Sequence, residues 1–294
     1  MERSIQSKRA LPWWGGEVRC NEKGEFILIE ESIDQHSALP FPGVDRIRRN
    51  LRLVYGIGEK NEEALRKEGY QSLDDLAAHH RWGRAARELL SLIDERRLDR
   101  LLRYGAKEDE VLGFFSQDDL VVLDLETTGF YQVQPLFLIG TLSFIGEKLM
   151  LRQYIARNYE EESAVLAQFL ADYGHKNVMV SYNGRTFDYP YLKARMRYHQ
   201  FDAEFNPFQL DLLPPTRRAY RPSLPNFRLR TVEESLLGVY RTETFSGGEI
   251  PELYHRFIVD EDPKLLTEVI EHNAQDVISM ASLLRILNVR NNCG

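Results

Sequence analysis

Hydrophobic and polar positions change their rhythm twice along the 294 residues. Near the start, GEVRCNEKGEFILIEES reads as two short strands around a turn at Asn21-Glu22-Lys23-Gly24, with Phe26, Leu28 and Ile29 apolar. Trp13 and Trp14, just before it, are offered for packing on a neighbouring domain. From Phe41 to Lys107 the pattern is one of short helices rich in arginine. After Gln117-Asp118-Asp119 it becomes α/β. LVVLDLETTG predicts a short buried strand, and LFLIGTLSFIG and KLMLRQYIA predict two more. YEEESAVLAQFLADYG is an amphipathic helix, NVMVSYNG a further strand, and FDYPYLKARMRYH the opening of another helix. Pro207, Pro214, Pro215, Pro222 and Pro225 mark an irregular connection. The last element runs from about Pro263 to Leu287, with Asp262 as N-cap and Pro263 at the first helical position, where its missing N–H costs nothing. Strands followed by helices around a mixed sheet give an α/β domain over residues 112–290. A hairpin-like segment over 1–40 and a small helical domain over 41–107 precede it.

Charge follows the same divisions. The apolar (43%) and charged (28%) fractions are ordinary for a globular chain and exclude a disordered scaffold. The net charge of −7, taken as an average, argues against a nucleic-acid coat. The average hides a segregation. Residues 41–107 carry 15 Lys and Arg against 11 Asp and Glu, a net of +4, whereas residues 108–294 carry 18 against 27, a net of −9. Cys20 and Cys293 are too few for a disulfide framework or a zinc knuckle, which points to a reducing cytoplasm. No run approaches the ~18 apolar residues of a membrane span, and the first residues lack a signal-peptide core. A soluble intracellular protein is expected.

Several acids do not behave like surface charge. Asp124 and Glu126 lie in Leu120-Val121-Val122-Leu123-Asp124-Leu125-Glu126, a run apolar enough for a central strand. Side chains alternate along a strand, so both carboxylates project on one face and repel each other unless a cation sits between them. Hard divalent ions such as Mg²⁺ or Mn²⁺ take such oxygen ligands. An isolated D-x-E fits a strand end reaching solvent equally well. Asp188 follows an Asn-Gly turn near the start of a helix, where it serves either a site or simply the helix dipole. In the closing helix, Leu265, Val269, His272, Asp276, Met280 and Leu283 recur at steps of three and four and form one stripe. His272 and Asp276 interrupt an otherwise apolar, core-facing row, either as a satisfied buried pair or as part of a site. Ionisable groups there cost several kcal/mol, on the order of what pairing or a metal offsets.

The three stretches, in this order, resemble the motifs of the DEDD exonucleases, a branch of the ribonuclease H-like superfamily: Asp124-Leu125-Glu126-Thr127-Thr128-Gly129, Asn183-Gly184-Arg185-Thr186-Phe187-Asp188-Tyr189-Pro190 and His272-Asn273-Ala274-Gln275-Asp276. Within them the chain is similar to the YprB-like ribonuclease H-like family over roughly residues 41–290. The resemblance implies a ribonuclease H-like mixed sheet and a metal-dependent 3′–5′ exonuclease of the histidine type. It implies that Asp124, Glu126, Asp188 and Asp276 hold two Mg²⁺ or Mn²⁺ ions, that His272 takes the proton from the attacking water, and that Thr127 and Asn183 contact nucleic acid. Histidine-type members usually place the histidine five residues before the last aspartate; here the gap is four, which keeps both groups on one helical face. A helicase partner and a role in DNA repair are family-level implications. The alternatives are a non-catalytic nucleic-acid-binding or tethering subunit on the same fold, and a ribonuclease acting on RNA ends.

Two basic features complete the picture. Leu53-Val54-Tyr55-Gly56-Ile57-Gly58-Glu59-Lys60 resembles a helix–hairpin–helix turn, in which Gly56, Gly58 and Lys60 would contact a phosphate backbone without reading sequence. A glycine turn that only packs a small helical domain is the other reading, and Glu59 at the helix start disfavours phosphate. Between Asp211 and Glu233, Arg217, Arg218, Arg221, Arg228 and Arg230 occur with no acids, a second candidate backbone track or a solvated loop.

Overall fold

The computed structural model describes residues 15–33, 43–146, 148–202, 205–243 and 245–292. Trp13 and Trp14 lie outside them. The described residues divide into two compact units, one from residues 15–33 and 117–287, the other from residues 43–116 with 288–292.

The smaller unit is helical: α1 (Asp45–Arg48), α2 (Glu59–Lys67), α3 (Leu73–Leu76), α4 (Gly83–Asp94), α5 (Leu98–Arg103) and α6 (Glu108–Val111). Its core gathers the apolar stripes of these short helices, Ile47, Leu51, Leu65, Leu73, Leu89 and Leu101 among them. Gly56, Gly69 and Gly105 turn the chain in the left-handed region, at φ +87°, +101° and +97°. Gly69 and Gly105 close α2 and α5 in the same way, with the Tyr70 and Ala106 N–H groups reaching back to the Leu65 and Leu101 carbonyls, whereas after Gly56 the Ile57 N–H reaches the Val54 carbonyl. Acids at the start of α6 work as internal struts. Asp109 accepts from Arg46, and Glu110 accepts from Asn50 and from the Lys107 backbone N–H.

The larger unit is a seven-stranded sheet in the order β1-β2-β5-β4-β3-β6-β7. Its strands are β1 (Glu17–Asn21), β2 (Gly24–Ile33), β3 (Leu120–Thr127), β4 (Leu136–Ile145), β5 (Lys148–Ile155), β6 (Val178–Ser181) and β7 (Phe208–Asp211). The sheet is mixed, as expected. β6 and β7 run parallel to β3, whereas β4 and β5 form an antiparallel meander beside it. The N-terminal hairpin extends this sheet by pairing β2 with β5. β3 lies inside the sheet, between β4 and β6, and is nearly all buried, as its continuous apolar run requires. The helices are α7 (Glu162–Tyr173), α8 (Asp188–Tyr198), α9 (Leu213–Tyr220), α10 (Leu229–Val232, continued by a π turn over Glu233–Leu237), α11 (Ile250–Asp260) and α12 (Lys264–Asn292). Asp262 caps α12 by accepting from the Lys264 N–H at 3.0 Å.

Two expectations need correcting. The proline-rich stretch is not irregular, since it contains β7 and α9, with Pro214 and Pro215 in the first turn of the helix, where no N–H is needed. The buried stripe of α12 is also rotated from the one drawn on sequence. Leu266, Val269, Asn273, Val277 and Met280 face the core, so Asn273 is the fully buried polar residue, and His272 and Asp276 sit at its half-buried margin.

Candidate active site

The site forms where β3, α8 and α12 meet. Alternation along β3 puts Asp124 and Glu126 on one side of the strand, two residues apart. The N-terminus of α8 brings Asp188, whose Oδ1 accepts from the Leu125 backbone N–H at 3.3 Å. α12 brings His272, Asn273 and Asp276.

Asn273 locks this assembly to the sheet. Its Nδ2 donates to Asp124 Oδ2 at 2.9 Å and to the Asp124 carbonyl at 3.3 Å. Its Oδ1 accepts from Gln153 Nε2 at 2.9 Å, and the same amide donates to the Ile270 carbonyl at 2.8 Å. The helix comes this close because Gly140 stands opposite Asp124 on β4, where any Cβ would overlap the Asn273 carboxamide.

The carboxylates sense one another. Burial, then repulsion from Asp276, Glu126 and Asp188, pushes the Asp124 carboxyl well above its ordinary range, against the hydrogen bond from Asn273. Burial, then Asp276 and Asp188, does the same to Glu126. Asp188 is pushed up to about 7, chiefly by burial, with Asp211 and Asp276 adding to it and the N–H groups of Asp188 and Leu125 opposing it. Asp276 is raised by burial and restrained by His272 and Arg241.

Arg241 is the resident cation. It lies beyond the left-handed Gly238, in the chain that returns from the π turn to α11, and only 5% of its side chain is exposed. Its guanidinium grips the two oxygens of fully buried Glu233, with Nε donating to Oε2 at 2.6 Å, and Nη2 also pairs with Asp276 Oδ1. Its Nη1 lies 2.9 Å from His272 Nδ1 and 3.3 Å from Glu243 Oε1. Glu243 Oε1 is in turn 2.9 Å from His272 Nδ1, and His272 Nε2 stands 3.6 Å from Asp276 Oδ2. Arg241 and Glu243, with Arg228 and Arg230, line a cavity of about 300 Å³ that reaches His272 and Asp276.

The donor set suits a hard divalent ion, being four carboxylates whose mutual repulsion a cation would relieve. Among the described residues no three His, Cys, Asp or Glu side chains are already gathered around a point that could hold a metal ion. Arg241 pairs with Asp276, and Asn273 donates to Asp124.

The remaining candidates lie elsewhere in their units. The Thr127 hydroxyl donates to the Gly129 carbonyl at 2.8 Å. Asn183 adopts φ +65° and gives its N–H to Asp211 Oδ1, while its side chain accepts from Thr186. Both therefore shape the loops that carry the carboxylates. Gly56 and Gly58 are exposed at the turn before α2 and Lys60 in its first turn, with Asn61 donating to the Gly56 carbonyl at 2.8 Å. Arg217 and Arg218 are exposed on α9 and line a cleft of about 660 Å³ with Arg221 and Phe227. Sequence reasoning missed Arg241, Glu243, Glu233 and Asp211, and gave Asn273 no role. Asp211 alone had a signal, an acid closing a strand beside the site.

The described helices include none long and apolar enough to cross a membrane. A solved family B DNA polymerase from the hyperthermophilic archaeon Pyrobaculum calidifontis is similar over 57% of this chain and 24% of that one, with 16% identity and a TM-score of 0.43. The uncharacterized protein YprB of Bacillus subtilis (strain 168) is 32% identical over 175 residues, which are 58% of this chain. The matched part spans 42% of that relative's length. The sequence model of the RNase_H superfamily matches residues 121–288, from β3 through α12, and so takes in all three motifs. With its mixed sheet and flanking helices, the chain has the RNase H-like nuclease fold and belongs to the RNase_H superfamily.

Proposed function

We propose that the larger unit is a divalent-metal-dependent exonuclease of the DEDD type that hydrolyses a nucleic-acid strand from its 3′ end, with DNA favoured over RNA. The observation that carries this reading is the meeting of four mutually repelling acids, Asp124, Glu126, Asp188 and Asp276, from three elements around the end of β3. These carboxylates would hold two Mg²⁺ or Mn²⁺ ions, which supply Lewis acidity at the scissile phosphate. His272 is the group free to take the proton of the attacking water. Tyr182 and Tyr189 give their hydroxyl protons to the Phe227 and Phe205 carbonyls instead. Arg228 and Arg230, at the cavity beside His272, and Arg217 and Arg218 on α9 supply cations for the strand's phosphates. The preference for DNA rests on the hairpin-like turn at Gly56 and Gly58, and a helicase partner and a repair role rest on the family resemblance.

The ion pair of Arg241 with Asp276, which engages one of the four acids, favours a second reading, a nucleic-acid-binding or tethering subunit. One experiment separates the two. Single-stranded, duplex and gapped DNA, each 5′-labelled, are incubated beside RNA with Mn²⁺, Mg²⁺ or EDTA. The exonuclease gives a ladder shortened from the 3′ end only with metal, and Asp124→Asn and Asp276→Asn each retain less than about 1% of the rate, in line with removal of a transition-state charge contact. Binding without cleavage under every condition establishes the tethering subunit.

A further inference from the structure

Outside the three motifs, the segment that carries Arg241 also brings a carboxylate against the imidazole. We propose that Glu243 is a positioning residue for His272: it accepts the Nδ1 proton and thereby leaves Nε2 bare on the side of the carboxylates. The proposal rests on the nuclease reading for its purpose, and on geometry for its content.

His272 Nδ1 has two neighbours at 2.9 Å with opposite demands, Glu243 Oε1, which can only accept, and Arg241 Nη1, which can only donate. Nδ1 carries either a proton or a lone pair and can satisfy one of them. If it accepted from Arg241, the proton of the neutral ring would sit on Nε2, facing Asp276 Oδ2. A charge-assisted bond there would close to about 2.8 Å. The separation is 3.6 Å, too long for a hydrogen bond. Arg241 loses little in the other arrangement, because Nη1 also reaches Glu243 Oε1 at 3.3 Å while Nε and Nη2 hold Glu233 and Asp276. Four of its five N–H groups are thus engaged by carboxylates, so Arg241 orders the site and is poorly placed to bind phosphate. Glu243, 12% exposed and beside that guanidinium, is held ionised as an acceptor. The second nitrogen's partner sets the tautomer, as it does for metal-bound and catalytic histidines elsewhere.

The test reads the proton directly. Protein labelled with ¹⁵N in histidine is studied by long-range ¹H–¹⁵N NMR at pH 8 without metal, with the His272 signals assigned by their loss in His272→Ala. Wild type should carry the proton on Nδ1, and Glu243→Ala should move it to Nε2 under the Arg241 donor. A wild-type ring protonated on Nε2, or an unchanged tautomer in Glu243→Ala, overturns the proposal. With Mn²⁺ and a labelled oligonucleotide, Glu243→Ala should lower kcat at least tenfold with KM unchanged. Glu243→Gln, isosteric and still an acceptor, guards against a folding failure: it should keep the Nδ1 tautomer and an intermediate kcat, and a Gln variant slower than Ala overturns the proposal. If wild type and Asp124→Asn are equally inactive on every substrate, the nuclease reading fails, while the NMR result still decides where the proton lies.

Discussion

The acidic cluster makes the stability of the metal-free protein depend on pH in the direction opposite to ordinary acid denaturation. Asp188 provides the magnitude. Its carboxyl moves from 3.8 to about 7 in the folded chain, so the native state binds this proton more tightly than the unfolded one. The resulting stabilisation is fully present below pH 3.8 and is lost as pH rises through 7. Integrated linkage gives a loss of roughly 2.5–3 kcal/mol between pH 5 and pH 8 for this residue alone. Asp124 and Glu126, raised in the same direction, add to it. Asp188→Asn removes the charge but keeps an oxygen that can accept from the Leu125 N–H, so it should flatten this part of the profile and be the more stable protein at pH 8 in EDTA. Hydrogen exchange of β3 amides, corrected for intrinsic rates, reads opening of this unit without interference from the other. Saturating Mg²⁺ or Mn²⁺ should raise protection at pH 8 far more than at pH 5 in wild type, and hardly at all in Asp188→Asn. Parallel pH profiles for wild type and Asp188→Asn in EDTA would refute the reasoning, because the charge at residue 188 would then not be destabilising.

Other expectations follow from single contacts. Gly140→Ala places a methyl on the Asn273 carboxamide, so it should cost about 1–3 kcal/mol in urea unfolding and weaken Mn²⁺ binding by displacing Asp124. Arg195 and Glu162 form a buried pair between α8 and α7, joined by His199 and the Leu136 N–H, so Arg195→Met should destabilise the protein by about 3–5 kcal/mol by leaving Glu162 without its cation. Replacing Arg217 and Arg218 together by glutamate should weaken single-strand binding alike for all sequences and reduce the slope of log K against log salt by about one or two, measured by fluorescence anisotropy.

How far the site could be read in the sequence depended on whether its residues sat in a repeating element. Asp124 and Glu126 were legible because strand alternation fixes their side, and His272 and Asp276 because a helix places i and i+4 together. The proline-rich stretch was misread because counting prolines ignores that a first helical turn accepts them. The displaced stripe on α12 has a different cause. Asn273 is as buried as the leucines around it, and polarity alone hid it among surface positions, although a glycine on the facing strand had cleared room for its carboxamide.

Arg241, Glu233 and Glu243 lie where no period applies, in a π turn and the connection after it, and a lone arginine between acids looks like any solvated surface. Their importance appears only when the chain is folded, and it changes the reading of the charge. The −9 of residues 108–294 does not all await metal. Glu233, Glu243 and Asp276 are already shared out around one buried guanidinium, whereas Asp124 accepts from the Asn273 amide, Asp188 from the Leu125 N–H, and Glu126 is repelled by Asp276 and Asp188 with Arg241 opposing only in part. The carboxyls of these three are pushed up furthest, so an added cation gains most there. In the proposed four-carboxylate site Asp276 would have to be drawn from Arg241 to join them. Metal binding is therefore expected to come with a change at His272 and Arg241 as well as at β3. The ¹⁵N signals of His272 should shift on titration with diamagnetic Mg²⁺ in wild type and remain fixed in Asp276→Asn; signals unmoved by Mg²⁺ in wild type, at concentrations that stabilise β3, would show that Asp276 stays with its arginine.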